Sequence, residues 1–464
     1  MRKRITFNGI RKEWLYLLSG RRKSPFAPIR NNLIRVPGMD GAYLSNTNSD
    51  VLYIHQPVGF IVKNDEHALQ LKDELAEWLI TDKPAPLQFD DEPGRTYFAK
   101  IDGTIEDFDR FVDQRKGIIT FIVLDGFGYG DEEIIETSDN EFIVENKGTA
   151  ESDPIFELTA KQKSTYALIS NGNQYNIVGQ PVNEEDEVPF EKYERISTWH
   201  GTTIQGWSPS DFVDGGIVAG DMESNGSRIQ ASDFGEGNSW HGPAIKRSLP
   251  EVLTDFSIKT TVAFGNTQNH YIGRIEMYLL DVNNNVIAKI ALKDNQSARQ
   301  LAIGEARIGP LNGGKYLISE SGDVEGVWNN FFGVLQIERE NKRWRMYIAK
   351  INQLTGQHHS RRSVVWNDTE GLYAGNVAQV MLHVGTVREY TAPAMGFYGV
   401  MIDKINQQSD GVPYIVDVGD KVTFNHVTGD CYINGEPVPI GAFGADFFKL
   451  HKGFNTIAVS PEDA

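Results

Sequence analysis

Apolar residues return at three- and four-residue spacing on a convincing scale only at Ala68, Leu71, Leu75, Trp78 and Leu79. That spacing predicts a helix over 65–80, capped by Asn64 or Asp65 and stopped before Pro84, with its apolar stripe lying on a sheet. Elsewhere the period is two, or the apolar run is short and β-branched. The run Ile118-Ile119-Thr120-Phe121-Ile122-Val123-Leu124 reads as a strand buried on both sides. Ile275, Met277 and Leu279 alternate with Glu276 and Tyr278, Asn283-Asn284-Asn285 turns the chain, and Ile287, Lys289 and Ala291 carry it back. That is a hairpin signature. Further strand-length segments at 256–264, 332–338, 344–351, 377–384 and 397–402 extend it into a β-sandwich, so the fold class is mainly β.

At the start of the chain Ile5, Phe7 and Ile10 occupy a short strand broken by Asn8-Gly9, and the apolar run 14–18 is closed by Gly20. Pro25, Pro28 and Pro37 forbid a helix through the next segment, which must be extended. Arg2, Lys3, Arg4, Arg11, Lys12, Arg21, Arg22, Lys23, Arg30 and Arg35 face one acid, Glu13, in a chain of formal net charge −18. This reads as a docking end with its positive charge on loops. Specific nucleic-acid binding is not expected, because basic and aromatic residues do not recur together as a groove requires.

A chain of 464 residues holds about three domains. Hydrophobic content of 40% and a mean hydropathy of −0.37 are ordinary for water-exposed folds, and no apolar run reaches the roughly 18 residues of a membrane span. The basic opening 2–4 resembles the front of a signal peptide, but the apolar run 14–18 is too short and Arg21-Arg22-Lys23 follows too soon. The single cysteine, Cys431, excludes an intrachain disulfide and a thiolate metal cluster and reads as a small core residue. Acid-rich segments at 132–145 and 184–187 mark boundaries. Between 196 and 405 lie six of the eight tryptophans: Trp199, Trp207, Trp240, Trp328, Trp344 and Trp366.

Candidate chemistry is sparse. Gly126-Phe127-Gly128-Tyr129-Gly130 has the wrong spacing for a dinucleotide loop, and Asp131-Glu132-Glu133 would repel a pyrophosphate. Asp281, Asn283 and Asn285 begin like a calcium loop, but Val286 stands where glycine is needed and Leu292 where the closing acid belongs. His358-His359 is followed by Arg361-Arg362, which opposes a cation. Glu338 and Glu340 come nearest to the alternating carboxylates of a sandwich glycosidase, flanked by Arg339 and Asn341. No catalytic residue, metal ligand or cofactor is assigned. The triplet Trp-His-Gly occurs at 199–201 and 240–242. Core tryptophans explain it most simply. The alternative is that Trp199, Trp207 and Trp240, with His241, form loop-borne indoles that stack on sugar rings, with glycine permitting close approach.

The opening, with its Asn-Gly turn, Trp14-Leu15, Gly20-Arg21-Arg22 and Pro37-Gly38-Met39-Asp40-Gly41-Ala42-Tyr43-Leu44, resembles the N-terminal domain of siphophage distal tail proteins. The resemblance continues in the helix segment 73–79, in 86–97, in Asn146-Lys147-Gly148-Thr149 with Pro154, and near the end in Phe447-Phe448-Lys449-Leu450 and 453–457. It implies a virion tail-tip (baseplate) protein, assembled in the host cytoplasm, whose residues 1–139 are a β-sandwich-like domain building a hexameric ring. The implied partners are other copies of itself, the tail tube protein, and a tail-tip hub, tail-associated lysin or fibre protein. Residues 140–193 and 406–464 resemble the family's galectin-like peripheral domain, split by an insertion at 194–405. The strand order of that insertion and Gly326-Val327-Trp328-Asn329-Asn330-Phe331 resemble concanavalin-like and laminin-G-like jelly rolls. Carbohydrate binding to host cell-wall polysaccharide, without membrane contact, is the implied role. A polysaccharide-degrading tail enzyme and a plain structural spacer are the rivals.

Overall fold

In a computed structural model the described residues are 3–103, 109–111, 114–183, 185–387, 390–439 and 444–461. The protein is mainly β, with one helix among the described residues, and divides into two compact units, Met1–Glu136 and Thr137–Ala464.

The first unit is built on one sheet, ordered Ile10–Arg11, Ile5–Phe7, Ala85–Phe89, Thr96–Ile101, Gln114–Val123, Leu52–Ile61 and Tyr16–Leu17, with Asp109–Phe111 and Arg22–Lys23 added on its central strands. Asn8 and Gly9, both at positive φ, make the tight turn that the Asn-Gly pair predicts. The helix Asp65–Leu79 starts where the Asn64 side chain accepts a hydrogen bond from the His67 N–H at 2.8 Å, and it buries Ala68, Leu71, Leu75, Trp78 and Leu79. These residues meet Leu52, Ile54, Val58, Phe60, Ile119, Phe121 and Val123 in one core. The helix covers only one face of the sheet. Gln114–Val123 therefore alternates instead of being buried on both sides, and Ile118 is exposed. Ile29–Ile34 and Tyr43–Ser49 form a separate two-stranded hairpin whose residues are all exposed.

In the second unit, two four-stranded sheets combine strands from both ends of its sequence. One is ordered Glu141–Asn146, Gly453–Ser460, Tyr166–Ser170, Tyr175–Gly179, and the other Ile155–Thr159, Lys421–Asn425, Asp430–Ile433, Glu436–Val438. Their shared core includes Phe156, Ile169, Val178, Phe424, Cys431, Phe448 and Ile457. Val188–Phe190 and Gly411–Pro413 then run side by side, parallel, as the chain leaves for and returns from a larger body. That body packs an eight-stranded sheet against a nine-stranded sheet. Leu335, Ile337 and Met346 from the first meet Ile275, Met277, Ile290 and Leu382 from the second around fully buried Trp328 and Trp344.

The 326–331 segment works as a latch at one end of this sandwich. Trp328 Nε1 donates to the Ser360 carbonyl at 2.6 Å, Asn329 Oδ1 accepts from the Ala302 N–H at 2.8 Å, and the Asn330 N–H donates to Asn266 Oδ1 at 2.8 Å. Asn266 in turn donates to buried Asp294 at 2.8 Å. Asn266, fully buried, is thereby satisfied on both its oxygen and its amide nitrogen, and the loops are held together.

The Trp78 indole donates to the Phe7 carbonyl at 3.0 Å and packs edge-on against the Phe7 ring, joining helix to sheet. Trp78→Ala is expected to destabilise the first unit by about 3–5 kcal/mol. Urea unfolding monitored by far-UV circular dichroism measures it, and a loss under about 1 kcal/mol would show that the helix is not held by this contact.

Candidate functional site

The basic opening is not a free positive arm. Ile5–Phe7 pairs with Ala85–Phe89, which brings the acids that follow the latter strand against the early cations. Arg11 makes a bidentate bond to Asp90, with both distances 2.9 Å. Arg21 reaches Asp91 at 2.6 Å, Glu92 at 2.7 Å and Gln56 at 2.5 Å, and Lys23 reaches Glu92 at 2.6 Å. Arg4 pairs with Glu13, Lys12 with Glu74 and Arg30 with Asp50. Burial opposes ionisation of Glu92, but the hydrogen bonds from Lys23 and Tyr97 outweigh it and keep the pKa below the usual carboxylate range. Six of the expected docking charges are thus engaged within the unit, because acids more than sixty residues away in sequence fold onto most of them. Arg2 lies outside the described residues.

What the unit does expose is apolar. The shaft of the hairpin is polar and satisfies itself: Asn32 donates to Asn46 at 2.6 Å, and Thr47 to Asn31 at 2.9 Å. Its distal end carries the cross-strand pairs Leu33 with Leu44 and Ile34 with Tyr43, followed by Val36 and Met39, with Tyr43 and Leu44 each 60% exposed. On the sheet face away from the helix, Tyr53, Ile61, Phe98 and Ile118 are also exposed. Sequence reasoning missed this tip because the prolines drew attention to extension alone. The signal was present in Leu33-Ile34 and Tyr43-Leu44 flanking Pro37-Gly38 and Asp40-Gly41, a hairpin pattern.

The four sugar-site candidates do not converge. Trp199 lies in the sandwich core at 5% exposure, and Trp207 packs edge-on against it with ring centroids 5.3 Å apart. The Arg247 guanidinium covers the Trp199 ring at 4.7 Å. His241 is buried at 4% exposure, with Nδ1 2.8 Å from the Ser239 carbonyl. Trp240 is half-buried, with the Arg274 guanidinium 5.2 Å from its ring centre. The glycines of the two triplets serve the backbone, not a ligand. A Cβ at Gly201 would lie 2.5 Å from the Phe397 carbonyl oxygen, and one at Gly242 would lie 2.1 Å from that of Val384.

Carboxylates do come together, though not at Glu338 and Glu340 alone. Across three adjacent strands of the nine-stranded sheet Glu276 is in register with Ala291 and Ala291 with Glu305. Lys289 reaches over the small Ala291 and bonds Glu276 at 3.1 Å and Glu305 at 3.4 Å. Burial pushes the Glu276 carboxyl up, but Lys289 and Arg274 overcome it and hold the pKa at about 2. Burial of Glu305 is overcome likewise by Lys289 and Lys293, which leaves its pKa lowered. A glycosidase acid must keep its proton near neutrality. This pair is held ionised. Burial raises the Glu338 pKa, but Glu338 lies under Arg345, and Glu340 is pinned by Lys192 at 2.9 Å. The Asp281 loop is a plain turn, its carboxylate accepting from the N–H groups of Asn283 at 2.7 Å and Asn285 at 2.8 Å. His358 meets the Tyr347 hydroxyl at 2.9 Å and His359 the Ser360 hydroxyl at 3.0 Å.

Residues 10–123 match the family of the phage tail protein RIFT-related domain. The hairpin, the open sheet face and most of the ion pairs with 90–92 all fall within this tail domain. No curated protein matches the chain. Among solved structures, the CBM2 module of the evolved Dit of Lactobacillus casei BL23 phage J-1 is 14% identical with a TM-score of 0.40, covering 47% of this chain and 98% of that module. SPP1 Dit is 18% identical with a TM-score of 0.34, covering 38% and 74%. The laminarinase catalytic domain from Thermotoga maritima MSB8 is 11% identical with a TM-score of 0.31, covering 47% and 100%. Scores this low assign no activity to the chain.

Beside the carboxylate row, burial lowers the His383 pKa to about 4, against partial compensation by Glu276, and its Nδ1 lies 2.9 Å from the Pro243 carbonyl. An unfolded histidine takes its proton near 6.5, so between pH 6.5 and 4 the unfolded state binds more protons. Stability from this group is complete above pH 6.5 and falls by roughly 3 kcal/mol as pH drops to 4. The stability that Glu276 contributes is complete above its unfolded value of 4.5 and is lost only below it, so it leaves this window unchanged. Urea midpoints measured from pH 7.5 down to pH 4.5 should fall, and His383→Gln should flatten that slope. An unchanged slope in the variant would remove His383 as its source.

Proposed function

We propose that this chain is a structural component of a phage tail tip, similar to distal tail proteins, whose N-terminal unit assembles into a hexameric ring joining the tail tube to the adsorption apparatus. The observation that carries this reading is the apolar-tipped hairpin on a unit that matches a phage tail domain. An isolated two-stranded hairpin is marginal in water, and clustered exposed apolar side chains mark association surfaces. The hairpin tip and the open face carrying Tyr53, Phe98 and Ile118 are different patches on one unit. Their union between copies would be heterologous, the kind of contact that closes into rings. Tail tube and hub proteins are the expected neighbours, in the virion tail tip after assembly in the host cytoplasm.

Residues 140–193 with 406–464 would form a peripheral module interrupted by 194–405, and the interrupting body would adhere to host cell-wall polysaccharide without turnover. The Trp240 indole, half-buried beside Arg274, is the candidate contact for adhesion, and the ionised Glu276–Glu305 pair disfavours hydrolysis. A body that binds nothing would be a spacer.

Light scattering of the purified protein across concentrations should give a closed oligomer that persists in about 0.5 M salt, since the contact is apolar and screening leaves it intact. Leu33→Glu with Leu44→Glu should yield a folded monomer. A wild-type monomer even in the presence of the tube protein would sink the ring.

Trp240→Ala should lower retention of the assembled oligomer on host cell-wall polysaccharide roughly tenfold or more, because weak contacts multiply over copies. The thermal transition should be unchanged. Retention equal to wild type removes Trp240 from the site, and release of reducing ends would establish the enzymatic rival.

A further inference from the structure

The larger sandwich leaves and rejoins the four-stranded pair through two strands of three residues each, Val188–Phe190 and Gly411–Pro413. Two short strands bend easily, and hinges are built from segments this small. A cleft of about 450 Å³ opens at this boundary, lined by Lys163 and Asp417 from one body and Glu194, Arg195 and Asp403 from the other. Such a cleft leaves room for the sandwich to swing.

A second contact stands against that motion. The turn between Asp430–Ile433 and Glu436–Val438 places Asn434 and Gly435 at positive φ, and the Gly435 carbonyl accepts from the His358 N–H at 2.9 Å, at the start of the edge strand His358–Asn367. The approach is so close that a Cβ at Gly435 would lie 2.2 Å from the Gly356 carbonyl oxygen. Only glycine fits here, for its backbone angle and for its lack of a side chain. The next residue, Glu436, accepts from Arg345 Nη2 at 3.1 Å, and Arg345 Nη1 lies 3.9 Å from buried Glu338. Nearer the hinge, Glu340 of the sandwich accepts from Lys192 at 2.9 Å and from Gln407 at 3.3 Å, one residue from each connecting segment.

We infer that the Gly435 turn is a clamp that seats on the edge strand of the sandwich and fixes its orientation on the smaller module. This rests on the reading of 194–405 as a nested body. A backbone bond, a glycine-to-glycine seat and an ion pair at one point resist rotation about a hinge far better than the hinge strands alone. The consequence for adhesion is geometric. Copies on a ring engage a surface together only if their binding faces are held in compatible directions, and a fixed pose removes the ordering cost of each engagement.

Distance measurements between spin labels in the full chain test this. Asn173→Cys and Asn283→Cys lie on exposed turns, one in each body, and the native Cys431 is buried and does not compete. The clamped chain should give one narrow distance distribution. Gly435→Val with Glu436→Ala should broaden it roughly twofold or more as the hinge is released, with the thermal transition of the sandwich retained. Should that variant fail to fold, Arg345→Met with Glu436→Gln keeps the turn and removes the ion pair, and a smaller broadening is expected. A broad distribution in the parent, or a narrow one in folded variants of both kinds, overturns the clamp. With the labelled chain diluted into a large excess of unlabelled chain, only distances within one copy are read, so the outcome is independent of ring formation and of saccharide binding.

Discussion

The second unit depends on one long-range pairing, that of Glu141–Asn146 with Gly453–Ser460, in which Glu141 opposes Ala458 and Asn146 opposes Gly453. More than three hundred residues separate the partners, and until they meet, Phe142, Val144 and Ile457 have no core to enter. Loop closure on this scale grows only slowly with length in free energy but slows folding, because the entropy is lost before the contacts form. The larger sandwich, whose hairpins Gly273–Leu280 with Val286–Asp294 and Phe331–Glu340 with Arg343–Ile351 are local, can form first and shorten the effective loop. The interruption is thus compatible with closure because it is itself compact.

The charged row in the nine-stranded sheet performs a related service at shorter range. Glu276, Lys289 and Glu305 occupy one face, while Ile275, Met277, Ile290 and Ala306 occupy the other and fill the core. A slip of one residue between these strands would drive a carboxylate or an ammonium into the apolar interior. Replacing one member leaves a buried charge without its partner, which costs far more than the intact network contributes. The row therefore opposes slippage between these strands.

Local periodicity made much of the fold legible. The 65–80 expectation meets a helix at Asp65–Leu79 with Asn64 as its cap, and the hairpin read from Ile275, Met277 and Leu279 through Asn283-Asn284-Asn285 to Ile287, Lys289 and Ala291 meets strands at Gly273–Leu280 and Val286–Asp294. Where reading failed, the deciding neighbour was distant in sequence. Ile118 looked buried because its run is β-branched and nearly all apolar, but nothing in the run says that only one face has a helix to cover it. Arg11 and Arg21 looked free because Asp90, Asp91 and Glu92 arrive through a strand pairing with no local signature. Trp199 and Trp240 share a triplet, yet one is sealed by Trp207 and Arg247 and the other is half-buried beside Arg274. Composition carries no information about that difference.

The direction of Val188–Phe190 and Gly411–Pro413 limits what could ever stand between them. Val188 lies beside Gly411 and Phe190 beside Pro413, so the two strands point the same way. Antiparallel neighbours can be joined by a two-residue turn, whereas parallel neighbours require a crossover of about a dozen residues or more. The larger sandwich therefore cannot be trimmed to a tight turn while both strands keep their places. Any replacement must travel back along their length before it rejoins, which sets a minimum size for whatever this position of the chain displays.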